Sequence, residues 1–210
     1  MLSKYKVLLW DFDGVIMDSM PIRSKGFELV LAKYPKEQVD ELMAFHEANG
    51  GLSRYVKFRY FFEEIRKEPV TEEQVLVLAA KFSEIMLSLL MDKGLLIQDS
   101  VEFIKNNQEN FQMHIVSGSD GKELKIINES VGLSGYFKTI NGSPTPKKQL
   151  VEDVLAAYQY DKKDVILIGD SINDLDAASF NDISFAGYNN TELKRVSENY
   201  IEQFTCNPDQ

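Results

Sequence analysis

The sequence has almost no cysteine and no long hydrophobic run. Its single cysteine, Cys206, cannot form an internal disulfide, as expected of a protein from a reducing compartment. No apolar stretch approaches the roughly 20 residues that a membrane-spanning helix requires. The apolar run Val7–Trp10 is far too short for a signal peptide. We therefore expect a cytoplasmic protein that has no membrane partner.

Basic residues are also in the minority. The 210 residues include 23 lysines and arginines against 33 aspartates and glutamates, which gives a net charge of −10. A chain this acidic is a poor general binder of nucleic acid or of anionic membranes. A small anionic substrate is compatible with this charge, provided that local positive charge or a metal ion receives it.

Short apolar segments alternate with helical patterns at both ends of the chain, in residues 1–14 and roughly 95–210. This alternation predicts an α/β fold, a doubly wound parallel sheet covered by helices on both faces. The predicted strands are residues 6–10, 112–116, 138–141, 164–168 and 183–186. The predicted helices of this part are residues 100–110, 122–131, 147–158 and 173–180.

The middle of the chain, residues 15–95, contains no convincing strand. Its patterns predict four helices, at residues 23–33, 37–48, 53–67 and 72–91. A helical insert directly after the first strand indicates a cap over the sheet edge. We therefore predict a catalytic core of residues 1–17 and 96–210 and a helical cap domain of residues 18–95.

Two carboxylates end the first predicted strand. Positions i and i+2 of a strand point to the same side, so Asp11 and Asp13 should lie close together at its carboxyl end. Ligands bind at that end in open α/β sheets, and Gly14 allows the backbone to turn sharply. An Asx-type turn that merely closes the strand is the alternative, and it predicts nothing further downstream.

Polar groups also follow the second and third predicted strands. Ser117 offers a hydroxyl, and Gly118 frees the backbone to direct N–H groups at an anion. Lys147 and Lys148 lie in the first turn of a predicted helix, where the helix dipole disfavours cations. Each of these features alone is also compatible with a solvated turn, but an anion near the lysine would explain its position.

The fourth predicted strand ends in Asp170, and Asp174 follows four positions later. A helix cap explains one of these acids but not both. With Asp11 and Asp13 they would form a cluster of carboxylates that repel one another strongly. All-oxygen ligation suits Mg²⁺. The predicted site therefore holds Mg²⁺ as its cofactor and, with one lysine, admits a phosphate dianion.

These residues resemble the four motifs of the haloacid dehalogenase superfamily. The matching segments are Asp11-Phe12-Asp13-Gly14-Val15, Ser117, Lys147 and Gly169-Asp170-Ser171-Ile172-Asn173-Asp174. The helical insert resembles the C1 cap of the β-phosphoglucomutase and phosphoglycolate phosphatase types. The resemblance covers nearly the whole chain and implies a Rossmann-like core.

The resemblance also implies a role for each acid. Asp11 would be the nucleophile that forms an aspartyl-phosphate, and it would ligate Mg²⁺. Asp13 would be the general acid and base, with its backbone carbonyl as a second metal ligand. Asp170 would ligate the metal, and Asp174 would hold metal-bound water. The acid role requires Asp13 to hold a proton, and we expect the neighbouring carboxylate to raise its pKa.

Ser117 would bind the transferring phosphoryl group, and Lys147 would neutralise its charge. The chain departs from many C1-capped members, which carry this lysine just before a Pro-x-Pro, where this sequence has Ser143. Lys147 is preferred here over Lys148, although spacing barely separates them. Dehalogenases of the superfamily lack the second acid, so Asp13 favours phosphoryl transfer.

Substrate choice should depend on the cap. Ser53 is placed to cap a helix whose first turn carries Arg54 and Lys57, three positions apart and again disfavoured by the helix dipole. We expect these two cations to face the active site and to bind an anionic or hydroxyl-rich part of the substrate. A solvated basic edge is the alternative.

The sequence therefore predicts a Mg²⁺-dependent phosphatase for a small phosphorylated metabolite, with a sugar phosphate preferred. A phosphomutase of the β-phosphoglucomutase type would use the same Asp11 and Asp13. A phospho-acceptor signalling domain, which is not an enzyme, also clusters acids with a serine and a lysine. Asp13 and the long insert count against that third possibility. The sequence makes no prediction of oligomeric state.

Overall fold

The computed structural model describes residues 1–205, and Cys206 lies outside them. Six strands form one parallel sheet with the order β3-β2-β1-β4-β5-β6. The strands are β1 (Val7–Trp10), β2 (Gln112–Asp120), β3 (Thr139–Ser143), β4 (Val165–Gly169), β5 (Ser184–Tyr188) and β6 (Asn199–Ile201). Strand order reverses between β1 and β4, and the crevice outside such a switch point is where open α/β sheets bind ligands.

Four helices follow β1 in the chain, and we call them the helical insert. We call the six strands and the other helices the sheet unit. They are α1 (Met20–Val30), α2 (Lys36–Ala48), α3 (Arg54–Tyr60) and α4 (Glu72–Leu89). A π-helical turn, Phe61–Ile65, continues α3. The remaining helices are α5 (Gln98–Asn106), α6 (Gly121–Val131), α7 (Lys147–Tyr158) and α8 (Ile172–Phe180).

The sheet is buried on both faces because β1 contributes alternate residues to two apolar cores. Leu8 and Trp10 pack in the core that also contains the helical insert. Val7 and Leu9 pack in a second core, against α7 and α8. This arrangement confirms the predicted doubly wound parallel sheet with a helical insert after its first strand.

Helix ends in the insert follow from local chemistry. Thr71 and Gln74 form a capping box at the start of α4, with hydrogen bonds of 3.2 and 2.9 Å between their side chains and backbone N–H groups. Ser53 caps α3 by accepting the N–H of Val56 at 3.4 Å. These contacts fix where α3 and α4 begin.

The two connections between insert and sheet run side by side. The N–H of Asp18 donates to the carbonyl of Leu95 at 2.8 Å, and the N–H of Ile97 donates to the carbonyl of Ile16 at 2.9 Å. The division into a core and a cap domain at these connections stays a prediction. In residues 1–205, no helix is both long and apolar enough to cross a bilayer.

Candidate active site

The turn after β1 brings two strand ends together at the switch point. The Asp11 N–H donates to the carbonyl of Ile168 in β4 at 2.9 Å, so the backbone after β1 stays tied to its neighbour. Gly14 has a φ of +74°, and a Cβ atom there would lie 2.0 Å from Oδ2 of Asp170. Only glycine therefore permits the Asp170 carboxylate to approach this turn so closely.

Three carboxylates meet in this crevice. Oxygens of Asp11, Asp170 and Asp174 all lie within 4.8 Å of one another. Burial raises the pKa of Asp11, and the charge of Asp174 raises it further. Burial and the charge of Asp11 likewise raise the pKa of Asp170. The raised pKa values mean that the ionised forms of these carboxyls are disfavoured without a nearby cation. Clustered carboxylate oxygens of this kind are suitable ligands for a hard divalent cation such as Mg²⁺.

Lys147 lies among these acids, and Lys148 does not. The Lys147 ammonium lies 2.9 Å from Oδ1 of Asp11 and forms an ion pair with Asp174. Although burial by itself lowers the pKa of Lys147, the two carboxylates outweigh it and raise the pKa above its usual value. The neighbouring Lys148 is exposed, with its ammonium 5.6 Å from the centre of the Phe180 ring.

Asp174 also shapes the start of α8. Its Oδ2 accepts the N–H of Ser171 at 3.1 Å and the hydroxyl of the same serine at 2.6 Å. A Cβ atom on Gly169 would lie 2.4 Å from the Asp174 side chain, so a glycine is needed there too. The helix start thus accounts for Asp174, whereas Asp170 has no such structural role.

The side chain of Asp13 is not part of this acid cluster, so the predicted cluster of four carboxylates is wrong in this detail. Strand β1 ends at Trp10, and Asp13 belongs to the turn beyond it. Its carboxylate accepts hydrogen bonds from Arg23 Nε at 2.5 Å, from Ser119 Oγ at 2.5 Å and from the Ser19 hydroxyl.

The expected rise in the pKa of Asp13 is also wrong. Burial by itself would raise the pKa of this carboxyl. The Arg23 guanidinium and the hydroxyls of Ser119 and Ser19 outweigh burial and hold the pKa below its usual value. In this structure Asp13 is therefore an ionised carboxylate, the state that a general base requires.

Ser117 and Gly118 lie in the second half of β2 and line the same crevice as the acids. Ser117 is buried, and its Oγ accepts the N–H of Ser119 at 3.2 Å. A Cβ atom on Gly118 would lie 2.3 Å from the carbonyl oxygen of Gly51, in the loop before α3. Gly118 thus permits direct backbone contact between the sheet and the helical insert.

A cavity of about 30 Å³ lies between the acids and the helical insert. Both Arg54 and Lys57 line it, and they are only 4% and 2% exposed, which excludes the solvated basic edge. Arg54 Nη1 donates to Glu123 at 2.7 Å and to Ser83 at 2.6 Å. Substrate binding by these two cations stays a prediction.

Three buried polar residues near the cavity were not predicted from the sequence: Arg23, His46 and Glu123. Glu123 of α6 accepts from both Arg23 at 2.8 Å and Arg54 at 2.7 Å, and so connects two helices of the insert to the sheet unit. The sequence signal that could have identified them is their position in the helical pattern. Each of the three occupies the inward face of its helix among apolar residues.

The chain is similar to known proteins over most of its length. The family model described as haloacid dehalogenase-like hydrolase matches residues 8–188. A phosphoglycolate phosphatase from Colwellia psychrerythraea is 22% identical over 197 residues, which is 89% of this chain and 85% of that protein.

Solved structures show the same fold at low identity. A β-phosphoglucomutase from Clostridium difficile superimposes with a TM-score of 0.76 at 16% identity, covering 95% of this chain and 91% of the other. A protein described as a predicted phosphoglycolate phosphatase from Haemophilus somnus gives a TM-score of 0.72 at 15% identity, covering 96% and 95%.

Proposed function

The chain belongs to the haloacid dehalogenase-like hydrolase family, and from that premise we propose that it is a Mg²⁺-dependent phosphatase for a small phosphorylated metabolite. One observation carries the proposal. Asp11, Lys147 and Asp170 meet at the switch point of the sheet, with Asp13 and Ser117 lining the same crevice. Fold alone does not define a reaction, and this set of groups supports phosphoryl transfer.

The first half-reaction transfers the phosphoryl group to the protein. A carboxylate oxygen of Asp11 attacks phosphorus, the bond to the leaving oxygen breaks, and a protonated Asp13 gives its proton to the departing alcohol. Such covalent catalysis divides one very slow displacement into two easier ones. Because Asp13 is ionised beside Arg23 in this structure, its proton must be acquired before or during substrate binding.

The second half-reaction regenerates Asp11. Asp13, again a carboxylate, removes a proton from water, whose oxygen attacks phosphorus and releases inorganic phosphate. Lys147 and the Ser117 hydroxyl stabilise charge on the phosphoryl oxygens in both steps. Mg²⁺, held by Asp11 and Asp170 with Asp174 fixing a water ligand, would supply further charge neutralisation.

A phosphomutase of the β-phosphoglucomutase type is the second candidate, because it needs the same two aspartates and a crevice closed against water. The fold that this chain shares with a β-phosphoglucomutase from Clostridium difficile supports it. Turnover that depends on a bisphosphate activator would identify a mutase. A phospho-acceptor signalling domain is disfavoured, because such a domain has no use for a base at Asp13 or for a helical insert over the crevice.

The test is a phosphatase screen with and without Mg²⁺, over sugar phosphates, phosphoglycolate and p-nitrophenyl phosphate. Asp11→Asn should lower turnover at least about a thousandfold, and Asp13→Asn about a hundredfold to ten-thousandfold. The exposed Asp182→Asn is the matched control and should retain wild-type turnover. Robust hydrolysis by Asp11→Asn, or full activity without a divalent cation, would refute the proposal.

A further inference from the structure

Lys57 is a buried cation that lacks an acidic partner. Its side chain is 2% exposed. The ammonium contacts Nδ1 of His46 at 2.7 Å and the carbonyl of Gly50 at 3.3 Å, and no carboxylate of residues 1–205 forms an ion pair with it. An ammonium buried without a counter-charge is costly. Burial accordingly lowers the pKa of Lys57 to about 7.

His46 adds a second donor beside Lys57. Burial and the charge of Lys57 lower its pKa to about 3, so the imidazole is neutral. Because a protonated Lys57 only donates, Nδ1 then accepts, and the ring proton resides on Nε2. That Nε2 is buried and has no hydrogen-bond partner in the described part of the chain.

Arg23 offers a third donor. Its Nε and Nη1 bind Asp13 and Glu123, but its Nη2 is buried without a hydrogen-bond partner among residues 1–205. Arg23, His46 and Lys57 all line the cavity that contains Asp11 and Asp13. The insert side of this cavity is therefore lined by three nitrogen-bearing side chains, two of which carry an N–H group without a partner in residues 1–205.

When Lys57 is protonated, the charges on this side of the cavity leave an excess of one positive charge. Arg23, Arg54 and Lys57 are three cations, whereas Asp13 and Glu123 are the two carboxylates that pair with the arginines. Unsatisfied donors with one extra positive charge complement an anion that only accepts hydrogen bonds. A carboxylate is such a group, and it suits a small cavity better than a second phosphoryl group does.

We propose that Lys57, His46 and Arg23 bind a carboxylate of the substrate, which is therefore a short phosphorylated acid. This inference rests on the proposed phosphatase function and narrows its substrate class. Arg54, which Glu123 and Ser83 already occupy, is a positioning residue that holds Glu123 in place. The sequence predicted that both Arg54 and Lys57 bind substrate. In this proposal only Lys57 does so, and Arg54 positions Glu123.

The experiment compares two substrate pairs in which a carboxylate replaces a hydroxymethyl group. The pairs are 2-phosphoglycolate with ethylene glycol phosphate, and 3-phosphoglycerate with glycerol 3-phosphate. For at least one pair, wild-type kcat/KM should favour the acid by at least about tenfold, as one charged hydrogen bond provides. Lys57→Met should abolish most of that preference through a higher KM for the acid, and Lys57→Arg should restore part of it.

Lys81→Met, which removes an exposed lysine from α4, is the control and should keep the wild-type preference. Equal kcat/KM values within both pairs, with hydrolysis that requires Asp11, would overturn the inference and leave the phosphatase function standing. A preference that survives Lys57→Met would also overturn it. If Lys57→Met does not fold by circular dichroism, His46→Gln replaces it with the same expectation. A wild-type protein that hydrolyses no phosphate ester would overturn both proposals.

Discussion

Replacing Glu123 by glutamine tests how the helical insert is fixed to the sheet unit. Glu123 is 1% exposed and accepts from Arg23 at 2.8 Å and from Arg54 at 2.7 Å. Glutamine keeps the size of the side chain but removes the charge, so two buried guanidinium groups lose their shared counter-ion. Breaking a buried pair in this way costs about 3–5 kcal/mol of unfolding free energy. For a chain of this length the melting temperature should fall by about 6–20 °C.

The measurement is urea denaturation of Glu123→Gln beside Glu129→Gln, which changes an exposed glutamate on the same helix. The control should stay within about 0.5 kcal/mol of wild type. Adding Arg54→Met to Glu123→Gln should recover part of the loss, because one unpaired cation is then removed. A loss below about 1 kcal/mol for Glu123→Gln, equal to that of the control, would refute the reasoning.

Three further predictions follow from the site. Lys147→Met should lower kcat on p-nitrophenyl phosphate by about a hundredfold or more, because it removes the cation beside Asp11 that stabilises developing phosphoryl charge. The pKa of Lys57 is about 7 when folded, below its value in the unfolded chain, so the unfolded chain binds more protons above pH 7. Wild-type unfolding free energy should therefore gain from Lys57 as pH rises from 7 toward 10, and Lys57→Met should lack that gain in denaturation at pH 6.5 and 9. Gly118→Ala should push the Gly51 loop away, since a Cβ atom would meet its carbonyl oxygen at 2.3 Å, and should speed proteolysis of that loop.

Each of these variants has a matched control in the chain. Lys148→Met, at the exposed neighbour, should retain kcat, and an equal loss in both lysine variants would contradict the role of Lys147. Lys81→Met should follow the wild-type pH dependence, and a Lys57→Met curve parallel to wild type would contradict the pKa argument. Gly135 has open space around it, so Gly135→Ala should not change proteolysis. Protection of the loop in Gly118→Ala would contradict the contact argument.

Much of the fold could be predicted because the sheet is buried on both faces. Strands β1 and β4 at its centre are continuous apolar runs followed by polar turns, a pattern that period and length define. Strand β6, with the sequence Asn199-Tyr200-Ile201, was missed. It is three residues long, lies at the sheet edge, and shows no apolar run. Edge strands of this kind owe their structure to the neighbouring strand rather than to their own sequence.

The acids of the site could also be predicted, because parallel strands deliver their carboxyl ends to one edge. The ion-pair partner of Asp13 could not be predicted from the sequence. Arg23 lies ten positions further on, in a helix, and its contact depends on how α1 packs against the sheet. Local spacing contains no such information, and this is why the direction of the Asp13 pKa shift was predicted wrongly.

The carboxylate that Arg23 and Arg54 share has an evolutionary consequence. Substitution of Glu123 alone leaves Arg54 without a carboxylate and Arg23 with Asp13 only, and loss of both arginines leaves Glu123 and Asp13 without a counter-ion. A lineage that changes one position therefore passes through a less stable protein before it reaches another compatible set. Among relatives that share this insert, the three positions should be retained together or replaced together, so that residue identity at 123 predicts the identities at 23 and 54.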